Sequence, residues 1–145
     1  MTTNDTWHVT RERLLAKRYP AISLRSAWAW AVCHAGKRIE NRSWTTPYRG
    51  LLWVHASAQP PSPSERAALK KHGLPEAPQR SALVALCRLT DIVRHNSKKG
   101  PTKGDPWAMG PFCWILDEVR VTPEPVLMPG RLSLWYPQAQ MILRD

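Results

Sequence analysis

Lys37, Glu40 and Arg42 bring an ammonium, a carboxylate and a guanidinium together within six positions. Lys37 follows Gly36, a residue suited to stopping a helix, so its ammonium can reach into a cleft at the helix end while its backbone stays anchored. The other fate open to it is the usual one for lysine, a solvated surface. Glu40 and Arg42 are two apart and share a face of an extended segment, where they can position a ligand as a pair or only neutralise each other. Arg49, His55 and Ser57 add a planar fork for phosphate and groups that hydrogen-bond base edges or move a proton. They complete a polar rim if their strands return beside Arg42. Trp28, Trp107 and Trp114 are the aromatic candidates: an exposed indole face stacks a base for about 1–3 kcal/mol, whereas a buried one is core. Neither a metal-ligand spacing nor a phosphate-cradling glycine loop occurs, so no metal or cofactor is expected. Cys33, Cys87 and Cys113 are odd in number and far apart, which suits small core residues better than disulfides or zinc. A Cys33–His34 dyad is excluded because adjacent helix residues point apart.

These groups need elements to hold them. Ala21 to Leu24 reads as a short strand. Ser26 to Ala35 reads as a largely apolar helix, with Ser26 as N-cap and Gly36 at the left-handed stop. After Gly36 the period changes to two, with Arg38, Glu40, Arg42 and Trp44 on one face, which must be wet or paired. A turn through Pro47 to Gly50 leads into a strand, Leu51 to Ser57, with Leu52, Val54 and Ala56 on one side and Trp53 and His55 on the other. Ser62 to Glu65 form a capping box that opens a helix ending at Gly73, whose last-turn cations, Lys70, Lys71 and His72, match the helix dipole. Ala82 to Val93 and Phe112 to Val121 are the longest strand candidates, and Leu132 to Tyr136 closes the sheet. Between the two long strands, Arg94 to Met109 is long for a hairpin connection and carries Lys98, Lys99 and Lys103; loops of that length in compact domains are either binding loops or disordered.

The chain has 145 residues and a formal charge of +10, which fits one domain and favours a polyanionic partner. Residues 1–49 and 50–104 each carry nine basic and three acidic groups, while residues 105–145 carry three and five. The excess therefore belongs to the first two stretches, whether as one anion-facing side or as a generally basic, solubilising surface. No apolar run approaches the roughly 18–20 residues of a membrane span, and the first twenty residues lack the apolar core of a secretory signal. A cytoplasmic monomer is the expectation. Eight tryptophans against one phenylalanine suit either a packed core or stacking platforms.

The ordered blocks Ile22–Arg25, Trp28–Ala31, Gly36–Arg42, Tyr48–Gly50, Val54–Ser57, Asp105–Trp107 to Trp114, and Pro129–Leu132 before Leu134–Trp135 resemble the ASCH domains of the PUA-like superfamily. The resemblance runs from about Ala21 to Tyr136, leaving residues 1–20 as an N-terminal extension to a domain at 21–145. It implies an α+β fold, a small bent β-barrel with short helices packed around it and a cleft beside the first helix. It also implies a nucleic-acid partner, RNA or single-stranded or duplex DNA, with single-stranded or flipped-out RNA bases held at Trp28, Lys37, Glu40, Arg42, Tyr48, Arg49, His55, Ser57, Lys98, Lys99, Trp107 and Trp114. The alternative is an RNA-processing hydrolase in the same cleft, a metal-independent ribonuclease or a modified-cytidine amidohydrolase, with Lys37 and Glu40 catalytic. Amidohydrolases of this type place a threonine three residues after their motif lysine; that position is Glu40 here, which cannot act as the same nucleophile.

Overall fold

The computed structural model describes residues 3–143. The ends of both expected segments, residues 1–2 and 144–145, lie outside the described residues. A mixed sheet of six strands, in the order β2-β5-β4-β3-β1-β6, curls into a half-barrel. The strands are β1 (Ala21–Leu24), β2 (Ile39–Arg42), β3 (Gly50–Ala56), β4 (Ala82–Arg94), β5 (Phe112–Leu127) and β6 (Leu134–Trp135), and three short helices pack around them: α1 (Thr3–Ala16), α2 (Ser26–His34) and α3 (Pro63–Leu69). β1 and β3 pair in parallel, which requires a crossover, supplied by α2 and β2; the other pairings are antiparallel.

Strand alternation divides the core in two. Leu52, Val54 and Ala56 of β3 join Ile22, Leu24, Ala29, Val32, Cys87, Leu89 and Trp114 in the main cluster under α2. Trp53 points the other way and joins Ala21, Leu83, Val126, Met128 and Trp135 in a second cluster, which Trp7 and Leu15 of α1 cover. A helix over residues 3–16 is not foreseen from the sequence, since its apolar residues form no continuous stripe; its stability comes from those two anchors.

Three element boundaries differ from expectation. The N-cap of α2 is Arg25, without a side-chain cap bond; Ser26 already sits inside the helix and its hydroxyl donates to the Gln59 carbonyl at 2.8 Å. β5 continues past Val121 to Leu127 because its register slips there: Ala85 faces Val121 and Leu83 faces Val126, so Thr122–Pro125 arch out and the two prolines need no ladder partner. The closing strand shrinks to Leu134–Trp135. At α3 the capping box forms, with Ser62 Oγ accepting from Glu65 N and Glu65 accepting from Ser62 N. Arg25 then forks onto the same carboxylate at 2.7 and 3.0 Å, tying α3 to the start of α2. Burial pushes the Glu65 carboxyl up, but the Arg25 and Ser62 bonds outweigh it and hold its pKa below the usual value. No helix among the described residues is long and apolar enough to cross a membrane.

Candidate functional site

Gly36 takes φ +72°, a left-handed turn that ends α2 and directs the chain back over its own C-terminus, where Lys37 N donates to the Ala31 carbonyl. The consequence for Lys37 corrects the expectation of an ammonium reaching into an open cleft. The residue is only 3% exposed. Its Nζ donates to the Ile39 carbonyl and to Glu40 Oε1, and lies 6.0 Å from the centre of the Trp107 ring. Burial pulls the ammonium pKa below the usual lysine range, and the Glu40 carboxylate opposes that pull. The charged face of β2 is therefore paired. Glu40, 8% exposed, is held on its other oxygen by Arg42, with 3.1 Å between Arg42 Nη2 and Glu40 Oε2.

Arg42 also closes the barrel. β2 forms one edge of the sheet and β1 with β6 the other. β6 covers only Ala21 and Ile22, leaving the Ser23 carbonyl for Arg42 Nη2, which donates to it at 2.7 Å. Arg42 remains partly exposed, and its buried Nε has no hydrogen-bond partner. Ser23 is a junction: its hydroxyl lies 3.0 Å from His55 Nδ1 and accepts from Trp135 Nε1 at 3.2 Å. His55 Nε2 lies 2.8 Å from the Met128 carbonyl. Because that carbonyl can only accept, Nε2 carries the proton and Nδ1 accepts from Ser23. Gly130 lies so close that a Cβ there would be 2.5 Å from Ser23 Oγ and 2.6 Å from the His55 ring, so only glycine fits.

Asn41, between Glu40 and Arg42, anchors the long loop. Its side-chain amide donates to the Trp107 carbonyl at 2.9 Å, and its Oδ1 accepts from Met109 N and Gly110 N at 2.8 and 2.9 Å. Trp107 is thereby fixed beside Lys37, half-buried against the α2–α3 junction. The His72 ring meets it at 5.4 Å between centroids. That residue ends the 3-10 turn Lys70–His72 that prolongs α3. Through His72, the turn that carries Lys70 and Lys71 therefore meets a tryptophan on the loop that also carries Lys98, Lys99 and Lys103, and all five lysines are exposed. Asn41, Lys70, Lys71, His72 and Lys103 are members that sequence reasoning did not assign to the site. The spacing of Asn41 inside the charged block is the one signal that could have flagged it.

The remaining candidates separate. Trp114 is fully buried, its Nε1 donating to the Trp44 carbonyl; Trp28 is half-buried between the two clusters that flank α2. His55 is buried and reaches Arg42 only through Ser23. Arg49 does not join that rim: it precedes β3 while His55 nears its end, a run of about 20 Å at ~3.3 Å per residue, and it pairs with Asp91 at 3.6 Å. Ser57 follows β3, its N donating to the Leu24 carbonyl. Tyr48 donates its hydroxyl to the Leu51 carbonyl. Lys98 and Lys99 are exposed, their backbone N–H groups held by Asn96 Oδ1. Cys87 and Cys113 are buried and Cys33 half-buried; burial pushes the Cys33 thiol up to about 11 and Cys87 to about 12. A cavity of about 100 Å³ lies away from Lys37, between Trp30 and Cys33 of α2 and Val84, Val121 and Pro125 of the sheet. Among the described residues no group of three or more His, Cys, Asp or Glu side chains is arranged to hold a metal ion.

Comparison with known proteins adds two findings. The sequence model of one protein family, described as the ASCH domain, matches residues 22–109. Activating signal cointegrator 1 from Homo sapiens is 45% identical over 49 residues, and its Mus musculus counterpart 43% over 49. Each match covers 34% of this chain and 8% of the relative, so the chain corresponds to a small part of those proteins.

Proposed function

The chain belongs to the ASCH domain family, and from that premise we propose that it binds nucleic acid, with single-stranded or flipped-out RNA bases as the ligand, on the basic face that meets at Trp107 and Arg42. The observation that supports this most is that the turn carrying Lys70 and Lys71 meets, through His72, the indole of Trp107, which Asn41 holds on the loop that also carries Lys98, Lys99 and Lys103. Exposed lysines release counterions when they meet phosphates, and a half-buried indole on the same loop offers a surface for a base. The paired trio Lys37–Glu40–Arg42 forms the floor of that face and fixes where Arg42 presents its exposed side. Arg42, whose guanidinium is partly exposed, supplies a planar fork suited to phosphate or a base edge.

The test is fluorescence anisotropy with labelled single-stranded RNA and DNA over about 50–300 mM salt, where affinity is expected to fall linearly on a log–log plot. Replacing Lys98 and Lys99 together by alanine removes two phosphate contacts and is expected to flatten the slope by about 1.4 on a single strand. Binding that ignores salt, or an unchanged slope in the double variant, would remove the reading. Incubating the same protein with RNA and with N4-acetylcytidine separates catalysis from binding: product that disappears in Lys37→Ala would replace binding by turnover.

A further inference from the structure

The chain has three tyrosines, Tyr19, Tyr48 and Tyr136, and strand register brings all three to one end of the sheet. Ala21 of β1 faces Trp53 of β3 on one side and Trp135 of β6 on the other. Tyr19 lies two residues before Ala21, and Tyr136 directly follows Trp135. Tyr48 donates its hydroxyl to the carbonyl of Leu51, two residues before Trp53. Because β3 runs parallel to β1 and β6 runs against it, all three steps lead the same way along the sheet. β4 adds Arg88, the register partner of Leu51. The groups act on one another: burial pushes the Tyr48 phenol pKa up, Tyr136 and Tyr19 add to the rise, and Arg88 opposes it.

One member of this row carries a cation on its face. The Arg18 guanidinium lies over the Tyr136 ring, 5.7 Å from its centre. Tyr136 is 47% exposed, and Arg18 is exposed too. Arg18 sits just past the end of α1 with φ +61°, the left-handed helix-end position that glycine usually fills, and its N donates to the Leu15 carbonyl. Leu15, buried in the second cluster, fixes that end of the helix. Arg88 is taken up by Glu118 at 2.7 Å, whereas Arg18 enters no ion pair among the described residues. Its charge is therefore available to a ligand. The place is distinct from the Arg42 contact. Ser23, gripped by Arg42, lies beyond one end of β6 and Tyr136 beyond the other, about 10 Å apart along that edge at ~3.3 Å per residue.

We infer that Arg18 and Tyr136 form a second contact for single-stranded nucleic acid, stacking one base of a strand whose other nucleotides meet Trp107 and Arg42. The inference rests on the nucleic-acid reading above and adds to it the length of the ligand, a strand of several nucleotides that reaches past the Trp107–Arg42 face. A guanidinium lying on a phenol forms a flat cationic surface. Single strands are bound without regard to sequence by this combination, since every base has a flat face to stack and every nucleotide a phosphate to attract. An acidic protein segment would answer the charge, but its carboxylates offer no ring to the aromatic surface.

The experiment measures the anisotropy of labelled single-stranded RNA of about 4 and about 12 nucleotides with the full chain. Tyr136→Ala is expected to weaken binding of the longer strand about tenfold without changing its salt slope, because a stacking face is lost and no charge. Arg18→Gly, which suits the backbone at that position, is expected to weaken the longer strand and to flatten its slope by about 0.7. Both variants are expected to bind the shorter strand as the wild type does. Losses equal at both lengths, or absent at both, would overturn the second contact and leave the nucleic-acid reading intact. A wild type that binds neither strand would overturn both. Polyglutamate bound by the wild type and lost in both variants, with RNA binding unmoved, would reassign the pair to an acidic protein partner.

Discussion

Glu40 is the residue on which the site's electrostatics depend. Its two oxygens face Lys37 and Arg42 separately, so one buried carboxylate compensates one fully buried cation and steadies another. Breaking such a pair leaves an uncompensated buried charge at a cost of about 3–5 kcal/mol; loss of Glu40 leaves Lys37 without its carboxylate, whereas loss of Lys37 leaves Glu40 still paired with Arg42. Glu40→Gln is accordingly expected to lower the unfolding free energy by ~3 kcal/mol, and Lys37→Met by much less, since the thioether keeps the stem's packing and needs no partner. Urea unfolding midpoints of the two variants provide the comparison. A larger loss from Lys37→Met would mean that the ammonium, not the carboxylate, is the indispensable member. The Lys37–Glu40–Arg42 block is legible in the sequence as a charged group on one strand face. Its burial is not, because nothing in the spacing says that the turn at Gly36 carries Lys37 back beneath Trp107.

At the scale of elements, His55 ties β3 to β1 through Ser23 and to the Met128 carbonyl that follows β5. Burial pulls the imidazole pKa below its usual 6.5, against a weaker upward pull from the Met128 bond. The unfolded chain therefore takes up the proton first. The stability due to the neutral ring is complete above about pH 6.5 and is lost as pH falls from there through the lowered folded-state value. Urea midpoints are expected to drop between about pH 7.5 and 5.5 in the wild type and to stay flatter in His55→Gln; parallel curves would place the titrating group elsewhere. The strand carrying His55 and its two faces are readable from alternation, as is the capping box at Ser62. The partners of those faces are not: Arg49 and His55 look like members of one rim in sequence, yet strand length holds them at opposite ends of β3.

For the whole molecule, the half-barrel separates two tasks. The face under α2 leads to Gly36, the charged trio and the basic loop, whereas the opposite face, with Trp53 and Trp135, is sealed by α1 through Trp7 and Leu15. Truncating a buried tryptophan removes its transfer energy and leaves a cavity. Trp7→Ala is expected to cost ~3 kcal/mol and, because Trp53 and Leu52 point to opposite sides, to leave RNA affinity within about twofold. Unfolding curves and anisotropy on one preparation test both halves. Lost affinity in a folded variant would show that residues 1–20 act in the site as well as in the core.

The sequence by itself determined the strands with period-two alternation, the helix that stops at Gly36, the helix capped at Ser62, the basic excess of the first 104 residues and the family, since these follow from local periodicity, turn and cap chemistry and ordered motifs. Only the tertiary structure decided which charges are spent on one another and which face water. That outcome depends on contacts between residues far apart in the chain: Arg42 on the Ser23 carbonyl, Asn41 under the loop at Trp107, His72 against the same ring. No local pattern encodes such pairings, because they exist only once the sheet has curled far enough to bring its two edges within the reach of one arginine.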